Sequence, residues 1–174
     1  VTGTETGSAA ADTDTQTETE TKPTVSEDVI GIANVANAGY AMAGSCRNTD
    51  GYSNLHANDN DLSTPFSSQD FSAAESDVYL FVDLTRAYTV RSVVLLPAAG
   101  EAELFPVDFD LQVSDDGQAW TTVQSRTDVS GVGEAGVTVD MGGVEASFVR
   151  LLVHRMAEDK GKYRFALGEM QVLA

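Results

Sequence analysis

The chain has a single cysteine, Cys46, among 174 residues, so it can form neither an internal disulfide nor a thiolate zinc site. Cys46 itself reads as a buried small hydrophobe or as a nucleophile. Neither His56 nor His154 stands in a nucleophile motif, which favours the first reading. Basic residues are also scarce. Ten Lys and Arg oppose 27 Asp and Glu, for a formal charge of −17 at pH 7. Such a surface repels DNA, RNA and anionic lipid. No apolar run is long enough to span a bilayer, no secretory signal peptide is visible, and no segment carries the period of an amphipathic helix. The chain begins without Met and reads as a piece of a longer protein.

What is present falls into two parts. Residues 1–27 alternate Thr with acids, as in Thr13-Asp14-Thr15-Gln16-Thr17-Glu18-Thr19-Glu20. With almost nothing apolar to bury, ordering this backbone would be uncompensated, so a disordered linker held open by charge repulsion is expected. Threonine-rich linkers of this kind commonly separate modules of exported proteins, and an extracellular, secreted or surface-attached setting is expected. Residues 28–174 then form one domain, long enough to bury a core.

Within that domain the apolar period is two. Val78, Leu80, Val82 and Leu84 share one strand face, as do Phe109, Leu111 and Val113, with Asp108, Asp110 and Gln112 turned toward water. Val90–Leu96, Val137–Val139, Val149–Val153 and Met170–Leu173 supply further strands. Ser114-Asp115-Asp116-Gly117-Gln118 is a hairpin turn in which Gly117 supplies a positive φ, and Trp120 behind it is expected to lie over the sheet. The fold class is all-β, an antiparallel β-sandwich or jelly roll.

One segment carries chemistry. In His56-Ala57-Asn58-Asp59-Asn60-Asp61-Leu62-Ser63-Thr64, the oxygens of Asp59, Asp61 and Thr64 can wrap a hard cation of the calcium type. Together with Gly168-Glu169 they suggest a clamp between the two ends of the domain. An EF-hand is excluded, because Thr64 followed by Pro65 stands where that loop needs glycine, and neither flank is helical.

Five blocks, in order, resemble the F5/8 type C, or discoidin-like, domain, and most closely its bacterial branch, the family 32 carbohydrate-binding modules. They are Ala57–Asp61 with Ser63, Thr64 and Phe66; Tyr79–Leu84 with Tyr88–Val90; Phe105–Gly117 with Trp120; Phe148–Leu151; and Leu167–Val172. The resemblance implies a jelly roll of about eight strands with a structural calcium ion. Asp59 and Glu169 would give carboxylate oxygens, Thr64 its hydroxyl and carbonyl, and His56, Asp61 and Gly168 their carbonyls. It also implies a shallow sugar site on loops at one end, where an aromatic ring stacks on the sugar and polar groups bond its hydroxyls.

The loops Cys46–Asn54, Ser67–Asp77, Ala98–Phe105 and Ala157–Arg164 contain Arg47, Asn48, Tyr52, Asp70, Phe71, Glu101, Glu103, Tyr163 and Arg164. Phe71 and Tyr163 are the preferred stacking rings, Arg164 and Asp70 their polar partners, with Tyr52 and Glu103 as further contacts. Phe66 is expected in the core and His154 half-exposed on a strand. Many sugar-binding relatives have Arg where this chain has Ala98, which puts a galactose-type specificity in question.

The function expected is a non-catalytic module that directs a secreted or surface-attached glycan-active protein to a glycan, as a monomeric unit of a multidomain chain. The alternative is a protein-interaction or spacer module of a bacterial surface adhesin. No paired acid and base, nucleophile elbow or phosphate loop argues for an enzyme. The lipid- and collagen-binding roles of animal relatives are disfavoured by the lone cysteine and the charge.

Overall fold

The computed structural model describes residues 33–47 and 51–174. The linker expected over 1–27, the domain boundary at 28 and the loop residue Asn48 lie outside the described residues. Ten strands occur in them: β1 (Tyr40–Ala43), β2 (Phe66–Ser67), β3 (Glu75–Leu96), β4 (Asp108–Ser114), β5 (Thr121–Arg126), β6 (Val137–Arg155), β7 (Ala157–Asp159), β8 (Lys162–Arg164), β9 (Ala166–Leu167) and β10 (Glu169–Leu173). The only helical pieces among them are short 3₁₀ turns at Val35–Ala38, Asn54–Asn58 and Ala102–Leu104.

Two long strands make both layers. The sequence pattern separates Val78–Leu84 from Val90–Leu96, yet β3 runs through both. Thr85 adopts φ 68°, and the register with β6 shifts between Asp83 and Tyr88, so the ladder bends there instead of ending. Before the bend, β3 pairs with β1 and with Phe148–Val153 of β6, and β4 and β5 extend that layer in the order β1-β3-β6-β4-β5. After it, β3 pairs with β10 and with Val137–Asp140 of β6. All these pairings are antiparallel.

The inward residues of both layers form one core, with Leu80, Val82, Leu84, Val93 and Leu95 from β3 meeting Leu111, Val149, Leu151, Met170 and Val172. Burying them is the main favourable term for a sheet of this size. Phe66 and Cys46 are buried in this core, as the sequence suggested. Gln112 departs from expectation. It points outward but is covered, because its amide bonds Thr122 Oγ1 (2.9 Å) and receives Arg150 Nε (2.7 Å).

The Ser114–Gln118 turn closes as anticipated, with Gly117 at φ 72° and its N–H donating to Ser114 Oγ (2.9 Å). Ala33 and Ala174 exchange backbone hydrogen bonds of 3.3 and 3.2 Å. Asn34 Oδ1 accepts the Val172 N–H beside them at 3.0 Å.

Candidate functional site

The acidic loop is folded by its own side chains. Asp59 Oδ1 accepts the Asp61 N–H (2.9 Å) and Asp59 Oδ2 accepts the Thr64 hydroxyl (2.8 Å), which also lies 2.8 Å from the Asp61 carbonyl. Asp61 Oδ1 takes the Ser63 N–H and hydroxyl at 2.9 and 2.6 Å, and these bonds hold its carboxyl below the usual range. Asn60 can take the left-handed turn this needs, at φ 63°. Asn58 anchors the loop from below, donating to the carbonyls of Ala36 (2.7 Å) and Gly39 (3.1 Å). His56 closes the outer side, with Nδ1 3.3 Å from the Pro65 carbonyl oxygen.

The far end of the chain enters this loop. Glu169 opens β10 and is 1% exposed, and its Oε1 accepts the Asp61 N–H at 3.1 Å across 108 residues. Its Oε2 is buried without any partner. Burial, followed by the facing carboxyl of Asp59, pushes Glu169 up to about 7. Two carboxylates so placed share either a proton or a cation. Gly168 has to be glycine, because a Cβ there would stand 2.7 Å from the Pro97 carbonyl oxygen.

The six residues assigned to the clamp are thus brought to one loop and its neighbour. Among the described residues no three His, Cys, Asp or Glu side chains gather around one point. An ion here would therefore depend on main-chain and hydroxyl oxygens as much as on the two carboxylates, a donor mixture that suits calcium.

The second cluster joins loops distant in sequence. Tyr52 donates to Glu101 (2.9 Å), and Arg47 lies 5.6 Å from the Tyr52 ring and 3.8 Å from Asp70. Phe71 and Tyr163 bond each other's backbone at 2.8 and 3.0 Å, which sets both half-buried rings on adjoining segments. Burial and the Glu101 carboxylate raise the Tyr52 hydroxyl above its ordinary value.

Two assignments need correction. Arg164, read as a polar contact for ligand, is 4% exposed. Its nitrogens are spent on Asp159 (2.9 Å), Ser67 (2.9 Å) and Glu101 (2.8 Å), so it ties loops together from beneath. Burial opposes its charge, and Glu101 and Asp159 more than offset that, so its pKa rises. Glu103 is exposed on the 3₁₀ turn Ala102–Leu104 and lines a separate groove of about 300 Å³ with Phe105, Val129 and Val132. Ala98 is 1% exposed and packs on Leu104 and Ala166.

The sequence reading also passed over one group. Tyr79, Phe81, Trp120 and Phe148 form a patch on the outward face of the larger layer, with ring centroids 5.7–6.5 Å apart. Its signal was available: from Val78 to Leu84 every residue but Asp83 is apolar, a run and not an alternation.

This architecture has known counterparts. The family model for the F5/8 type C domain matches residues 41–167, and the chain belongs to that family. Similar solved structures include a family 32 carbohydrate-binding module of a family 31 glycoside hydrolase from Clostridium perfringens, with a TM-score of 0.70, 17% identity and coverage of 82% of this chain and 94% of that one. The family 32 module of Clostridium perfringens NanJ, in complex with galactose, has a TM-score of 0.67, 17% identity and coverage of 82% and 98%. Chitosan-binding module 2 of a Paenibacillus sp. IK-5 chitosanase/glucanase, in complex with chitotriose, has a TM-score of 0.64, 23% identity and coverage of 81% and 100%. Among curated proteins, none matches the chain.

Proposed function

We propose that the domain is a non-catalytic carbohydrate-binding module, stabilised by a calcium ion, that serves as an extracellular accessory unit of a larger glycan-active protein. The observation that carries the sugar-binding part is the meeting of Tyr52, Asp70, Phe71 and Tyr163, which come from loops far apart in sequence. Rings beside carboxylate and guanidinium groups suit a ligand with C–H faces and hydroxyl edges. Relatives of the same fold in complex with galactose and chitotriose support the reading. Affinity at so shallow a site is modest, and it gains from other modules engaging the same polysaccharide.

Asp59, Glu169, Thr64 and the carbonyls of His56, Asp61 and Gly168 would hold the calcium ion. The partnerless oxygen of buried Glu169 supports that assignment. The bound ion would supply positive charge between two carboxylates and nothing reactive.

A glycan array followed by calorimetric titration in calcium buffer tests the reading. Binding of at least one glycan is expected, and Phe71→Ala should weaken it by about tenfold or more, the loss of a stacked ring. A second reading, a protein-binding module of a surface adhesin, draws on Ala98, buried where many sugar-binding relatives carry Arg. Silence on the array, with capture of a defined surface protein, would decide for it.

A further inference from the structure

A solvated antiparallel sheet face is ordinarily polar, and one part of the outward face of the larger layer carries instead the patch of Tyr79, Phe81, Trp120 and Phe148. One cross-strand row reads Met42, Phe81, Arg150, Gln112 and Thr122, and the next reads Tyr40, Asp83, Phe148 and Ser114. Tyr40 and Met42, on edge strand β1, are 62% and 41% exposed. The neighbouring rings are seated by glycines. A Cβ on Gly44 would stand 2.6 Å from the Tyr79 ring, and one on Gly117 would stand 3.3 Å from Phe148.

Arg150 lies in the middle. Its guanidinium carbon is 4.1 Å from the Trp120 ring centroid and 5.8 Å from that of Tyr79. Nε donates to Gln112 at 2.7 Å, and Thr122 holds Gln112 in turn. Among the described residues no carboxylate pairs with Arg150, and its terminal nitrogens carry no hydrogen bond. Burial pulls its pKa down. In a chain of 27 acids and ten bases, this half-buried cation is left without an acid, its plane set by Trp120 and its donor edge free.

The patch is also continuous with the loop cluster. A hollow of about 220 Å³ is bounded by Phe71 on one side and Tyr79 on the other, with Gly44, Ser45 and Asp77 between them.

We propose that this face is a second ligand surface that takes the further units of an oligosaccharide whose first unit sits at Phe71 and Tyr163. The chain runs through the hollow, lays its C–H faces on Tyr79 and Phe81, and accepts hydrogen bonds from the outer N–H groups of Arg150. The ligand class is therefore an uncharged or cationic glycan chain of several sugars, since the charge of −17 repels a polyanion. The inference rests on the carbohydrate-binding reading above and adds chain length to it.

Trp120 is the only tryptophan, so its emission reports on this face alone. The intact domain is titrated in calcium buffer with galactose and glucosamine and with their β-1,4-linked oligomers of two to six units. Affinity should rise by about tenfold or more from monomer to the longer oligomers, as added rings are engaged, with a change in Trp120 emission for the oligomers only. Arg150→Gln, and separately the conservative Trp120→Phe followed by calorimetry, should bring the hexamer's affinity down to the monomer's.

Binding that is independent of length, with Trp120 silent, overturns the extended track and leaves the loop site standing. Absence of any glycan binding overturns both. Concentration-dependent self-association that disappears in Phe81→Ser would make the face a contact between copies, and also overturns the track.

Discussion

Two charged groups are buried among the described residues, and they are treated in opposite ways. Arg164 is enclosed by acceptors from three segments, each nitrogen matched. Glu169, equally enclosed, faces another carboxylate and keeps one oxygen without a partner. Burying a charge is costly unless pairing and hydrogen bonds replace its water. The first joint is thus complete within the polypeptide, while the second keeps an oxygen that a proton or, on the reading proposed above, a cation would satisfy. The two lie close together, joined by the β2–β9 pairing of Phe66 with Leu167 and Ser67 with Ala166.

The largest effect should come from the self-sufficient joint. Arg164→Ala leaves Glu101 and Asp159 without their cation and should lower stability by about 3–5 kcal/mol, the range for breaking a buried pair from one side. Denaturant melts would show the loss with calcium or with chelator alike. If added calcium restored the stability, the two regions would not be independent.

Next comes Glu169→Gln. The amide can donate to Asp59, so the metal-free protein should gain about 1–3 kcal/mol, the scale of relieving an unsatisfied buried group. The same variant should lose the stabilisation expected from bound calcium, about 2.7 kcal/mol at a hundredfold excess over Kd, as read from Tm with and without the ion. A variant that still responded fully to calcium would remove Glu169 from the ion's shell.

The smallest effect concerns His154, on the outward face. Its Nδ1 lies 2.8 Å from Asp77 and its Nε2 3.2 Å from Asp110. Burial opposes its charge, but the two carboxylates outweigh that and raise its pKa. A raised histidine adds stability that is fully present below its unfolded value, near 6.5, and is lost as pH rises through the folded value. At this exposure the contribution should stay below about 1 kcal/mol. His154→Gln should flatten that slope in pH-dependent melts, and an unchanged slope would assign it to another group.

Legibility in the sequence followed the range of the contacts. The inward alternation of β3, β4 and β6 is local, and it reads directly from Val78, Leu80, Val82 and Leu84. The acidic loop and Glu169 were recognisable because each motif is local, although the contact between them spans 108 residues. Arg164 was misjudged because it stands in a loop, Ala157–Arg164, whose own residues are largely polar. Its cover comes from Glu101 and Ser67, 63 and 97 residues away, and nothing in its own neighbourhood announces them. The bend at Thr85 escaped for a different reason. A threonine at φ 68° is not what turn chemistry suggests, and the long ladders on either side dictate it.

The lacing of Ala33 to Ala174 bears on how the domain carries load. Two backbone hydrogen bonds, and not the length of the sheets, set the distance between these two residues. Tension applied across those two residues would load a short clasp first and leave the sheets slack until it opened.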